Sequence, residues 1–363
     1  LPSSPCSNDG RRCFAAIARK PGSGTIFKYS IGLAAAACLV ATQAAAWDPF
    51  GVRTKGDGWI YTRLGNQQDV QTPTTGGVMF EGGGTDVDRG YQWMCQKAGN
   101  GDFLVLRATG TADYNPYIRR LCPGINSVST LRIAHRWGTH NAFVLNAIAH
   151  AEAIFIAGGS QAQYVRFWQN TPVNAAINAA AARGVPVGGT SAGNAILAHF
   201  AFSALNGTVF SANALQNCYG RYITIDQGFL GLSPLLNGVI TDDHFVTRNR
   251  MGRLVTFLAR IVQDGDAAPA FAIAVNEHTA FLMEADGRGR IEGDSTAYFL
   301  RTPGAPQVCA SGAPVTYGGI AVYRIDHGGN FNVATWTGSG GTAYEVSATG
   351  GKMSSTQADG RLY

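Results

Sequence analysis

The chain is poor in charge. Of its 363 residues only 14% are Asp, Glu, Lys or Arg, and 28 basic against 23 acidic side chains leave a formal net charge of +5. The cations are scattered except near the N-terminus and around positions 248–260, which gives no nucleic-acid signature. Long apolar runs are also scarce, and this excludes a multi-span membrane protein. The one such run, residues 29–46, is short and alanine-rich, follows Arg19, Lys20 and Lys28, and ends with small residues at Ala44 and Ala46. That is the pattern of a secretory signal cleaved after Ala46 rather than of a membrane anchor, so a secreted or periplasmic protein without stable membrane association is expected. Lipid attachment through Cys38 is a poor fit, because few apolar residues precede it. His135, His140, His150, His199, His278 and His327 form no metal-ligand spacing with a companion acid, so no metal or cofactor is expected.

Cysteine is sparse as well. Beyond residue 46 only Cys95, Cys122, Cys218 and Cys309 remain. An exported chain meets an oxidising compartment, so two disulfides are expected. Three pairings are open, and the early positions of Cys95 and Cys122 favour joining those two.

What the chain has instead is 45% hydrophobic residues and 47 glycines, enough apolar surface for one large core. Residues 47–76 are polar and aromatic without a clear period and read as a surface extension. From Gly77 onward short apolar strands alternate with helical stretches: strands at 77–81, 103–108, 130–134 and 154–157, and helices at 86–97, 117–121, 141–151, 163–168 and 173–183. This alternation predicts an α/β fold, a mostly parallel sheet with helices on both faces. From Ala270 the period becomes β, short strands separated by Gly-rich turns such as Asp286-Gly287 and Gly328-Gly329-Asn330, giving a β-rich C-terminal extension. Residues 341–363, rich in Gly, Ser and Thr, read as a loosely held tail.

Ligands in such sheets gather beyond the carboxyl ends of the strands, here Gly82–Gly84, Gly158–Gln161 and Ser191. The glycine run at 82–84 lacks the lysine and the spacing of a nucleotide cradle. Gly184-Val185-Pro186-Val187-Gly188-Gly189-Thr190-Ser191-Ala192-Gly193-Asn194 reads as a strand running into a serine on a glycine-lined turn, then an alanine-rich helix start. This is the layout of a nucleophile elbow, in which small neighbours leave room for a strained turn. A later strand, 238–241, ends in Asp242-Asp243-His244-Phe245, followed by Arg248, Arg250 and Arg253. A histidine at the mouth of a strand, beside acids and arginines, has the composition of an active site.

Gly158-Gly159-Ser160-Gln161, Gly189-Thr190-Ser191-Ala192-Gly193 and Asp242-Asp243-His244-Phe245 with the three arginines, in this order, resemble the cyanophycinase and aspartyl dipeptidase family of serine peptidases, peptidase family S51. The stretch Ala272–Ala280 is similar to that family too, and the resemblance runs from about Gly77 to about Tyr298. It implies a flavodoxin-like fold similar to class I glutamine amidotransferases, a catalytic domain over 77–340, a peptide substrate with β-aspartyl linkages, and a possible homodimer. In cyanophycinase the substrate is a polyaspartate backbone carrying arginine, released as β-Asp-Arg dipeptides. Carried over by motif, Ser191 is the nucleophile, His244 its base, and Gly159 and Ala192 the oxyanion-hole amides. Gln161, Asp242, Asp243, Arg248, Arg250 and Arg253 line the substrate groove. Two positions depart from the family pattern: Asp243 stands where Gln is usual, and Ser160 where Asp is. Asp226 is the only acid between Ser191 and Asp242 and is the candidate third member of a triad. An esterase of the α/β-hydrolase type would instead draw on Asp326 and His327.

Overall fold

The computed structural model describes residues 48–363, so the expected secretory signal and the Cys38 question lie outside the described residues. β1 (Val52–Gly56) and β2 (Trp59–Gly65) form a hairpin. Then β3 (Gly77–Glu81), β4 (Asp102–Arg107), β5 (Ser127–Ile133), β6 (Ala153–Ile156) and β7 (Val187–Thr190) alternate with α1 (Asp88–Lys97), α2 (Tyr114–Leu121), α3 (Ala142–Ala149), α4 (Gln161–Trp168) and α5 (Pro172–Ala182). These five strands are parallel in the order β5-β4-β6-β7-β3.

Both faces of this group are covered, and the strand period decides which side chain goes where. Val78, Phe80, Leu104, Leu106, Ile154 and Ile156 point into one apolar cluster with Val144, Ile148, Trp168 and Ile177 of the helices. Their alternates Met79, Phe103, Val105 and Phe155 point into a second, with Tyr91, Met94 and Ile118. The helices begin and end where local chemistry directs. Asn141 caps α3 by accepting from the Phe143 amide at 2.9 Å, α5 opens on Pro172, and Gly184 at a φ of 86° ends it.

The second half runs through β8 (Phe200–Phe202), α6 (Ser211–Ala214), β9 (Ile225–Gln227), β10 (Val239–Asp242), α7 (Met251–Gln263) and β11 (Phe271–Val275), followed by β12 (Thr279–Glu284), β13 (Arg288–Gly293), β14 (Ala297–Arg301), β15 (Tyr317–Asn332), β16 (Thr337–Thr349) and β17 (Lys352–Ser355). A second parallel group, β11-β10-β8, packs on α7, which is buried almost all round with it. The antiparallel strands join the two groups, since β12 pairs with β3 and β14 with β11. The long β15 pairs with both β13 and β14. The carboxyl ends of the two groups meet: the His244 amide, two residues past β10, donates to Gly82 O, just past β3, at 2.8 Å.

Four local expectations give way here. Residues 47–76 were expected as a surface extension, yet β2 pairs with β5 in full register and buries Trp59 and Thr62. The two buried positions stand three apart with half-buried Ile60 and Tyr61 between them, so the strand shows no alternation. The helix expected after Ser191 is only a three-residue 3₁₀ turn, Asn194–Ile196, before the chain enters β8. The glycines at 328–329, expected as a turn, lie in β15 opposite a register shift. Residues 341–363 are not a loose tail: β16 and β17 occupy most of them, Tyr344, Val346 and Ala348 are buried at every second position, and the Tyr363 hydroxyl accepts from the Met251 amide at 2.8 Å.

Cys95 in α1 is bonded to Cys122 at the end of α2, and Cys218 to Cys309, which is compatible with an oxidising compartment. The first bond closes a loop across a sequence separation of 27. Replacing both Cys95 and Cys122 by Ser is expected to lower unfolding free energy by roughly 2–4 kcal/mol, measured by denaturant titration with the other bond intact.

Candidate functional site

Ser191 follows β7 directly and holds a φ of 51°. The glycines around it are required by close approach. A Cβ on Gly193 would lie 2.0 Å from the Ile156 carbonyl oxygen, and one on Gly189 would lie 2.7 Å from the main chain of Gly193. The turn therefore packs against the end of β6, and the neighbouring Gly158 lies beside the Ser191 side chain.

His244 stands two residues past β10 with a φ of 44°. Its Nε2 is 2.8 Å from Ser191 Oγ, and its Nδ1 is hydrogen-bonded to Glu277 Oε1. Glu277 stands two residues past β11. Strand ends β7, β10 and β11 thus supply a hydroxyl, an imidazole and a carboxylate in one file. The end of β3 supplies the floor: a Cβ on Gly83, whose φ is 90°, would lie 2.5 Å from the imidazole, and Gly84 packs against His278 in the same way. The glycine run at 82–84 is shaped around histidine rings rather than phosphate. Burial alone would lift the Glu277 carboxyl, but the hydrogen bond and charge of His244, with Arg248 and His278 nearby, hold it below the usual glutamate range. A carboxylate on Nδ1 fixes the tautomer whose Nε2 can accept a proton from a hydroxyl.

Asp242 and Asp243, with Arg250 and Arg253, form a buried cluster behind the imidazole. Arg253 Nε lies 2.9 Å from Asp242 Oδ2, and its Nη2 bonds Asp242 Oδ1. Arg250 Nη1 is 3.2 Å from Asp242 Oδ1 and 2.8 Å from Asp243 Oδ1. Burial raises the Asp242 carboxyl, yet the charges of Arg253 and Arg250 bring it below its ordinary value. Beneath the elbow, Glu81 is fully buried; its carbonyl accepts from the Ser191 amide at 3.2 Å, and its carboxyl from the Val87 amide and the Tyr91 hydroxyl. Burial and then the charge of Asp86 push that carboxyl up to about 8.

A family model described as peptidase family S51 matches residues 107–286, a span that contains Ser191, His244 and Glu277. The chain is similar to peptidase family S51 over just under half of its length. It is 27% identical over 229 residues to the cyanophycinases of Synechococcus elongatus and Thermosynechococcus vestitus, an alignment covering 60% of this chain and 65% of each relative. It is also 27% identical over 217 residues to the cyanophycinase of Trichormus variabilis, covering 58% of this chain and 66% of that one. The chain thus spans about two thirds of the length of the curated relatives it matches, slightly less in each case. Among solved structures, a peptidase from an acI-B1 Actinobacterium superposes with a TM-score of 0.49 at 15% identity, covering 72% of this chain and 98% of that one.

The residues singled out by sequence divide into those the site brings together, those at its mouth and those placed elsewhere. Ser191, His244 and Asp243 are brought together; Gly159, at a φ of 152°, follows Gly158 beside the elbow, and among the described residues neither its amide nor that of Ala192 donates to another protein group. Gln161 opens α4 half-buried, and Arg248 is exposed at the mouth beyond His244. Asp242, Arg250 and Arg253 are not groove residues: they are buried and spend their polar atoms on one another. Asp226 is also misplaced as a triad member. It pairs with Ala201 in the β8–β9 ladder, and the carboxylate on Nδ1 is that of Glu277. His327 is exposed on β15 and makes no hydrogen bond to Ser191. Among the described residues there is no cluster of three or more metal-ligating side chains, and no helix is long and apolar enough to cross a membrane.

Glu81 ionises near 4.5 when unfolded and about 8 when folded, so between those values the folded protein holds more protons and stability falls as pH rises. The Glu81→Gln variant removes that titration. The melting temperature of the unaltered protein is expected to decline from about pH 5 to pH 8, and that of the variant to decline less; superimposable curves would refute a neutral Glu81.

Proposed function

We propose that this chain is a secreted serine-type peptidase that hydrolyses β-aspartyl peptides, with cyanophycin, released as β-Asp-Arg dipeptides, as its substrate. The observation that carries the reading is the hydrogen-bonded file of Ser191, His244 and Glu277 at three neighbouring strand ends. His244 Nε2 takes the Ser191 proton as Oγ attacks the scissile carbonyl, and Glu277 holds the ring and stabilises the imidazolium that forms. The Gly159 and Ala192 amides receive the oxyanion; each such donor contributes on the order of 3 kcal/mol in other acyl-transfer sites. The imidazolium then protonates the leaving amine, and water attacks the acyl-enzyme by the reverse path. Gln161 and Arg248 stand where they can hold the substrate's amides and carboxylates. The cyanophycinase relatives support the substrate, and the two disulfides support export.

Incubation with cyanophycin and with isoaspartyl dipeptides, with products identified by mass, tests the substrate. The Ser191→Ala variant is expected to abolish turnover. Substitution of Glu277 by Gln is expected to cost roughly 10²- to 10⁴-fold in kcat/KM, whereas the Asp226→Asn and His327→Ala variants stay near the unaltered rate. Loss of activity on changing His327 but not His244 would favour the esterase arrangement. Absence of Ser191 labelling by a fluorophosphonate, with binding of an acidic peptide intact, would favour a silent binding protein.

A further inference from the structure

Asp243 is the member of the buried charge cluster whose bonding is incomplete. Asp242 is saturated, with both oxygens engaged by guanidinium groups. Asp243 spends only Oδ1, on Arg250 Nη1 at 2.8 Å. Its Oδ2 accepts no hydrogen bond from the protein among the described residues and is not among the sealed, partnerless atoms of the interior, although the side chain is only 4% exposed. A desolvated carboxylate with a free oxygen is costly unless something donates to it. The carboxylate stands beside the base: its other oxygen, Oδ1, is 3.6 Å from His244 Nε2, too far for a hydrogen bond, on the nitrogen that also meets Ser191 Oγ.

We infer that Asp243 is a catalytic residue that accepts a hydrogen bond from the leaving nitrogen of the substrate; this rests on the serine-peptidase reading above. In acyl transfer the Oγ–C bond forms as the Ser191 proton passes to Nε2. The C–N bond then breaks as Nε2 returns that proton to the departing nitrogen. The leaving nitrogen must therefore come to Nε2, and the neighbouring acceptor is Asp243. An amide nitrogen carries a hydrogen of its own besides the one delivered by His244. As positive charge develops on it, the N–H to carboxylate bond strengthens, which makes the contact stronger in the transition state than in the ground state. An ester oxygen has no such hydrogen. Asp243 thus selects amide over ester leaving groups, and an amide bearing hydrogen over a fully substituted one.

The test pairs a β-aspartyl p-nitroanilide with the matching p-nitrophenyl ester. In the Asp243→Asn variant the side-chain oxygen still serves Arg250, and an N–H replaces the free acceptor. The expected result is a roughly 10- to 100-fold fall in kcat/KM on the anilide, with the ester changed by less than about threefold. Equal losses on both substrates, accompanied by a lowered melting temperature, would make Asp243 a structural counter-charge only and overturn the inference. So would an unaltered rate on the anilide. In the unaltered protein, N-methylation of the anilide nitrogen is expected to lower kcat/KM at least as far; persistent cleavage would also overturn it. Failure of the peptidase reading itself would look different: no fluorophosphonate labelling of Ser191 and no turnover of either substrate by the unaltered protein.

Discussion

The site depends on an imidazole bonded from both sides. His244 takes a hydroxyl from the end of β7 on one nitrogen and a carboxylate from beyond β11 on the other, although these belong to different parallel groups of the sheet. The bond to Glu277 lies within the β11-β10-β8 group, whereas the bond to Ser191 forms only because the two groups close on one another. That closure is made by the backbone, through the His244 amide on Gly82 O. The absence of a side chain at Gly83 lets the ring lie against the β3 loop. The antiparallel strands between β3 and β11 hold the two groups at that spacing.

Behind the ring, two aspartates and two arginines are taken out of water together. Such a cluster contributes little net stability, since desolvation offsets most of the attraction. What it gives is position. Arg250 also donates to the Asp243 carbonyl at 2.8 Å, one residue before His244. The main chain that carries the base is therefore fixed by a charged side chain from the start of α7, and the base inherits the rigidity of that buried helix.

Much of this was legible in the sequence. The alternating strands and helices, the glycine-lined serine and the histidine at a strand mouth appear where the residue pattern places them. The third partner was misread for a topological reason. Asp226 was reached by looking for an acid between Ser191 and Asp242, whereas Val275-Asn276-Glu277 repeats the relation of Asp242-Asp243-His244 to its strand, a polar residue two positions past an apolar parallel strand. Arg250 and Arg253 were misread because an arginine beside acids has the same local pattern in a solvated groove and in a buried pair. Only packing tells them apart. The last strands were obscured by their Gly, Ser and Thr content, although Tyr344, Val346 and Ala348 keep a period of two.

Ser191 and His244 share one property that sets them against their own fold: both hold non-glycine residues in left-handed backbone, at φ of 51° and 44°. Each such residue stores about 1 kcal/mol or more, which glycine would release. Glycine at either place would relax the backbone but leave a partner in the partly buried file of Ser191, His244 and Glu277 unpaired, so the strain at these two residues is held in place by the hydrogen bonds they make.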